Sequence, residues 1–76
     1  MEIASLFGMV IRELRSEAGL TQEQLGFEAD LRRTFISVLE LGQQQPSLTT
    51  IFKLGIALKI PASKIIELVE SRLSLD

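Results

Sequence analysis

Apolar residues recur at intervals of three and four along almost the whole chain, the spacing of one face of an α-helix. Strand-type alternation never persists, and β-branched residues are scattered. Breaks in the pattern divide the chain into five predicted helices. The first runs from about Ile3 to Ala18. Leu6, Phe7, Val10, Ile11 and Leu14 form its apolar stripe, Arg12, Glu13, Arg15 and Glu17 its wet face, and Gly19 its stop. Thr21-Gln22-Glu23-Gln24 is a capping box, in which the Thr hydroxyl and the Gln side chain accept each other's free backbone N–H groups. The short second helix that follows reaches about Ala29 and carries Leu25, Phe27 and Ala29 as its apolar residues. Asp30-Leu31 is a break with neither Pro nor Gly. The third helix covers about Arg32 to Leu41, with Phe35, Ile36, Val38 and Leu39 apolar and Gly42 at its end. Gln43-Gln44-Gln45-Pro46 reads as a polar loop, and Ser47 as the cap of a fourth helix from about Leu48 to Leu58. Pro61 suits the first turn of a fifth, which reaches about Leu73.

Five short helices joined by loops of a few residues predict an all-α, compact five-helix bundle. With no internal repeat, low-complexity segment or long linker, residues 1–76 are expected to form a single domain.

Composition narrows the chemistry. A 76-residue chain buries a modest core and has little stability to spare. It has no Cys and no His, Trp or Tyr. That leaves no disulfide framework or thiolate metal site, and it removes the commonest general base and metal ligand. No catalytic residue, metal or cofactor is expected, and no small-molecule ligand is evident. No stretch approaches the roughly 18 apolar residues of a membrane span. Met1-Glu2-Ile3-Ala4 lacks the positive flank of a signal peptide, so the expected location is the cytoplasm. The net charge of −2 and pI near 5.1 run against nucleic-acid binding, although the distribution of charge matters more than its sum.

The informative stretch is 22–41, two short helices about a tight break. Leu25, Ala29, Leu31, Ile36 and Leu39 are apolar where two crossed helices must share a core. Gly26 lies where the second helix faces the third. A glycine there lowers helix propensity by about 1 kcal/mol, and close approach of the two segments is a reason to accept it.

These residues resemble a known family. Leu20-Thr-Gln-Glu-Gln-Leu25, Thr34-Phe-Ile-Ser37, Glu40-Leu-Gly42 and Pro46-Ser47 are similar to the Cro/C1-type helix-turn-helix family of bacterial and phage transcription regulators, over about Phe7 to Ile60. The resemblance implies a lambda-repressor-like fold with helix-turn-helix at about 22–41, and a function in sequence-specific binding of double-stranded DNA. Arg32 to Leu41 would be the recognition helix in the major groove. Base contacts would fall to Arg33, Thr34, Ser37 and Val38. Arg33 can fork onto guanine, and Val38 can offer apolar contact to a thymine methyl. Backbone contacts would fall to Gln22, Arg32, Gln43 and Gln45. Arg15, late in the first helix, would form a structural ion pair with Glu40. The sequence departs from the family at Asp30, where the turn residue is often Gly, and at Leu41 and Gln43 to Gln45, where a basic exit is usual. Asp tolerates a left-handed backbone better than most residues. The glutamine loop implies weaker phosphate attraction and a shallower salt dependence.

Other readings stand beside these. Arg32 and Arg33 can be solvated surface charges, Val38 a packing residue, and Gln43 to Gln45 simply a polar loop. In the last helix, Ile65, Ile66, Leu68, Val69 and Leu73 spread wider than one stripe. Either the first and fourth helices cover them all, or Ile65, Leu68, Val69 and Leu73 form a homodimer interface. The dimer is the favoured reading. It would place two recognition helices in successive major grooves about 34 Å apart on a near-palindromic operator. Stand-alone family members of this size are similar to controller proteins of restriction-modification systems and to short phage-type repressors. An alternative function is a protein-interaction module, such as an antitoxin or assembly domain with weak DNA binding. An enzyme is not expected, since Asp30 and Glu40 form no acid–base pair and the five Gly make no phosphate loop.

Overall fold

A computed structural model of the protein describes residues 2–73. They form five helices: α1 (Ile3–Glu17), α2 (Gln22–Ala29), α3 (Arg33–Glu40), α4 (Leu48–Leu58) and α5 (Ala62–Leu73). Each packs chiefly on two others, in the closed order α1, α3, α2, α4, α5 and back to α1. None of them is long and apolar enough to cross a membrane.

The core lies inside this ring. Phe7, Val10 and Ile11 of α1 meet Leu25 and Ala29 of α2, Ile36 and Leu39 of α3, Leu54 of α4, and Ile65 and Val69 of α5. Leu6, Leu14, Leu31 and Phe35 are half-buried against it. The apolar stripes of α1 and of the 22–41 pair are thus where the periodicity places them. Ile65 and Val69 correct the expectation that they serve a dimer interface. They are 0% and 6% exposed, because α5 turns them onto the protomer's own core, so they have almost no surface to offer a partner. Leu68 and Leu73 are half-buried.

The helix ends follow from local chemistry. Thr21 and Gln24 form the capping box, with the Gln24 N–H on the Thr21 hydroxyl at 3.0 Å and the Thr21 N–H on the Gln24 side chain at 2.8 Å. Ser47 caps α4 by accepting from the Thr50 N–H at 3.1 Å. The chain turns left-handed at Gly19, Asp30, Gly42 and Lys59. After each, the next residue's N–H reaches back to a carbonyl of the last turn: Leu20 to Arg15, Leu31 to Gly26, Gln43 to Val38 and Ile60 to Gly55. This closure satisfies carbonyls that a helix end otherwise leaves open. Pro61 stands one residue outside α5, and its carbonyl accepts the Lys64 N–H at 2.9 Å.

Two glycines allow the closest packing. A Cβ on Gly26 would lie 2.6 Å from the Leu31 carbonyl oxygen, so this glycine admits the turn and the start of α3. A Cβ on Gly8 would lie 2.4 Å from the Leu39 carbonyl oxygen, which lets α1 approach the end of α3 directly.

Candidate nucleic-acid interface

Two elements position α3 on the molecular surface. On one side, Ile36 and Leu39 fill the core between α1 and α2. On the other, Arg33 and Thr34 are exposed and Ser37 and Val38 half-buried. At 100° per residue these four positions span an arc of about 140°, opposite the buried pair. Leu41 caps the helix in a right-handed conformation, and at 66% exposure it extends the same face at its far end. An eight-residue helix is about 12 Å long, close to the width of a major groove. Arg32 is the N-cap residue and is exposed, as are Gln43, Gln44 and Gln45 after the helix.

The turn that sets α3 against α2 is made by Asp30, with φ 57° and ψ 45°. Its carboxylate lies 3.8 Å from Lys53, with its side chain 97% exposed, so the left-handed backbone rather than this loose contact is what the turn requires of the residue.

Arg15 and Glu40 form the expected ion pair, in a bidentate arrangement. Arg15 Nε donates to Glu40 Oε2 at 2.6 Å and Nη2 to Oε1 at 3.0 Å. Arg15 Nη1 donates to the Leu20 carbonyl at 2.9 Å, which ties the last turn of α1 to the loop before α2. The Glu40 side chain is 4% exposed. Its hydrogen bonds raise the Arg15 pKa further above the ordinary value. Gln22 adds a contact that no sequence pattern indicated: its Nε2 donates to Glu40 Oε1 at 3.0 Å. An open hollow of about 610 Å³ borders this network, lined by Arg15, Ser16, Gly19 to Glu23, and Arg33.

The electrostatics of α3 differ from those of the whole chain. Its single acidic residue, Glu40, is neutralised by Arg15, and its exposed start carries Arg32 and Arg33. The acidic excess is spread over other elements, at residues such as Glu13, Glu17, Glu28, Glu67 and Glu70. Glu23 is the one carboxylate among the residues lining the hollow. Among the described residues no group of three or more Asp or Glu could hold a metal ion.

Other surfaces stand out by exposure. Phe27 projects from α2 at 85%. Leu48, Phe52 and Ile56 repeat every four residues along α4 and are 69%, 55% and 76% exposed, and Ile66 of α5 is 46% exposed. This stripe was missed in the sequence, although α4 carried a signal for it. The helix is apolar nearly all round, a pattern that one core-facing stripe does not account for.

A short helix anchored in the core by one face and exposed on the other, with a basic start and a capped neighbour set by a left-handed turn, has the arrangement of a helix-turn-helix DNA-binding protein. The family profile described as helix-turn-helix matches residues 11–65, and the chain belongs to this Cro/C1-type family. It is 39% identical over 66 residues to control protein C.BamHI of Bacillus amyloliquefaciens, covering 86% of this chain and 82% of that one. The crystal structure of the restriction-modification controller protein C.AhdI from Aeromonas hydrophila superposes with a TM-score of 0.79 at 40% identity, covering 82% of this chain and 94% of that one. The controller protein C.Esp1396I has the same fold, with a TM-score of 0.89 at 24% identity over 100% of this chain and 99% of that one. The chain is accordingly a DNA-binding transcription regulator of the controller-protein type, and not an enzyme.

Proposed function

We propose that this regulator binds a near-palindromic operator as a homodimer and, like the controller proteins it resembles, governs a restriction-modification operon in the cytoplasm. The observation that carries the DNA-reading part is the outward face of α3. Arg33 and Thr34 are exposed there while Ile36 and Leu39 anchor the helix from behind. Arg33, Thr34, Ser37 and Val38 read base edges, Arg33 by a bidentate bond to guanine. Gln22, Arg32, Gln43 and Gln45 hold the backbone.

The dimer rests on α4 with α5. Leu48, Phe52, Ile56 and Ile66 supply the exposed apolar surface that Ile65 and Val69 do not, and Leu68 and Leu73 border it as half-buried residues of α5. These helices do not flank α3 in the packing ring, so pairing through them leaves both recognition helices free. The five helices act as one DNA-binding unit with the dimer contact built in.

Selection from a randomised duplex library tests this reading. A near-palindrome with half-sites about 10 bp apart is expected. Arg33→Ala should weaken operator binding by about 1–3 kcal/mol and relax preference at one position per half-site. A folded protein that enriches no sequence would overturn the proposal.

A further inference from the structure

Glu40 does more than close an ion pair. Oε1 accepts from Arg15 Nη2 and from Gln22 Nε2, each at 3.0 Å, while Oε2 takes Arg15 Nε at 2.6 Å. One carboxylate near the end of α3 therefore holds the last turn of α1 and the first residue of α2. The orientation of the Gln22 amide follows from chemistry. A carboxylate can only accept, so the amide nitrogen must face Glu40. A primary amide has two N–H groups in a fixed plane. Glu40 takes one, and among the described residues the other has no partner. Gln22 is half-buried and borders the open hollow beside Arg33. A free glutamine samples many rotamers, and that freedom would be lost on binding DNA. Here the loss is already made in the folded chain.

We propose that Glu40 is a positioning residue of the DNA interface, holding the Gln22 amide so that its second N–H is set to meet a backbone phosphate. This rests on the reading of Gln22 as a backbone contact. Arg15 has a matching role, since it neutralises a carboxylate that would otherwise repel the phosphates.

The sign of one substitution separates positioning from charge. Glu40→Gln removes a negative group from a surface that meets a polyanion, so electrostatics alone predicts tighter binding. Positioning predicts weaker binding, because the amide has one acceptor oxygen where the carboxylate has two: it cannot keep all three hydrogen bonds, and its NH2 group turns a donor toward the donors of Arg15 or Gln22. The experiment is a double-mutant cycle with Gln22→Ala, Glu40→Gln and both, in the full chain on its selected operator. Anisotropy gives Kd and thermal melting gives stability, with binding measured well below each melting point. Gln22→Ala should weaken binding about tenfold, Glu40→Gln by a similar factor, and the double variant no more than the weaker single. Wild-type or tighter binding by a folded Glu40→Gln, or losses that simply multiply, would overturn the proposal.

A second measurement needs no variant. In the free wild-type protein, the side-chain amide of Gln22 should have an NMR order parameter well above those of the exposed Gln43 and Gln45. Equal order parameters would also overturn it. If the wild-type chain enriches no duplex, the reading of the interface falls and this one falls with it. A multiplicative cycle on a bound operator removes only the role of Glu40.

Discussion

Leu41 stands at the edge of the proposed DNA face, where a single side chain would change how the protein meets the phosphates. It lies at the far end of the outward face of α3, 66% exposed, followed by Gly42 and three glutamines. No lysine or arginine lies between Arg33 and Lys53, so the exit of the recognition helix contributes no counterion release. Leu41→Arg should therefore strengthen DNA binding several-fold at low salt and steepen the plot of log affinity against log salt by about one unit. Anisotropy titrations over a salt series would show it. An unchanged slope would mean that position 41 does not approach the backbone. Much at this scale was legible in the sequence. Arg33 and Thr34 are exposed at the start of α3, Ser37 and Val38 follow on the same face, and Arg15 pairs with Glu40. The link from Gln22 to Glu40 was not legible, because no local pattern relates residues 18 positions apart on different helices. It arises only where the packing of α1, α2 and α3 brings three side chains to one carboxylate.

At the scale of elements, the helix ends are the instructive features. Gly19 and Gly42 announced two left-handed closures, and Asp30 a third through its tolerance of that backbone. Lys59 is the fourth, at φ 61°, and its residue type gave no warning. A Lys there is strained by its Cβ, and its exposed side chain offers no local hydrogen bond in return of the kind an Asp or Asn can make. Lys59→Gly should stabilise the fold by about 0.5–1 kcal/mol, a rise in Tm of a few degrees for a domain of this size. Thermal melting checks it, and a lower Tm would show that Lys59 supports the α4–α5 corner in a way its backbone does not reveal. The same scale explains the error in α5. Periodicity gives the angular spread of apolar residues but not which arc the neighbours cover. Ile65 and Val69 went to the core, and the surplus appeared instead on α4, at Leu48, Phe52 and Ile56.

For the molecule as a whole, charge and pH set the working range. The chain has no His, the side chain whose ordinary pKa lies nearest neutrality, and unfolding free energy should be flat from about pH 6 to 8. Arg15 and Glu67 act outside that window. Arg15 is raised by Glu40, so its contribution is complete below its unfolded value and is lost only as pH rises through the folded value, in strong alkali. Glu67 is lowered by Lys64, so its contribution is present above the ordinary Glu value and lost as pH falls through the folded one. That pair is exposed and its effect small. Chemical denaturation across a pH series tests this, and a step near pH 6.5 would contradict it.

The arrangement of surfaces around the ring completes the argument for a dimer. The proposed DNA face belongs to α3, between α1 and α2, while the exposed apolar stripe belongs to α4, between α2 and α5. An exposed apolar stripe of this kind marks an interaction surface, and in the proposed dimer a second copy would cover it symmetrically. Ile56 is the sharpest probe, because at 76% exposure it can become charged without disturbing the protomer core. Ile56→Glu should leave the helical melt within about 0.5 kcal/mol of the protomer's own stability while placing like charges across the twofold axis. Sedimentation should then report a monomer, against a dimer expected for the wild type. Operator binding should weaken by two or more orders of magnitude, as each half-site is then held separately and the effective concentration of the second is lost. A variant that stays dimeric would move the interface away from α4. One that becomes monomeric yet binds the whole operator as tightly as the wild type would show that the two half-sites are read independently.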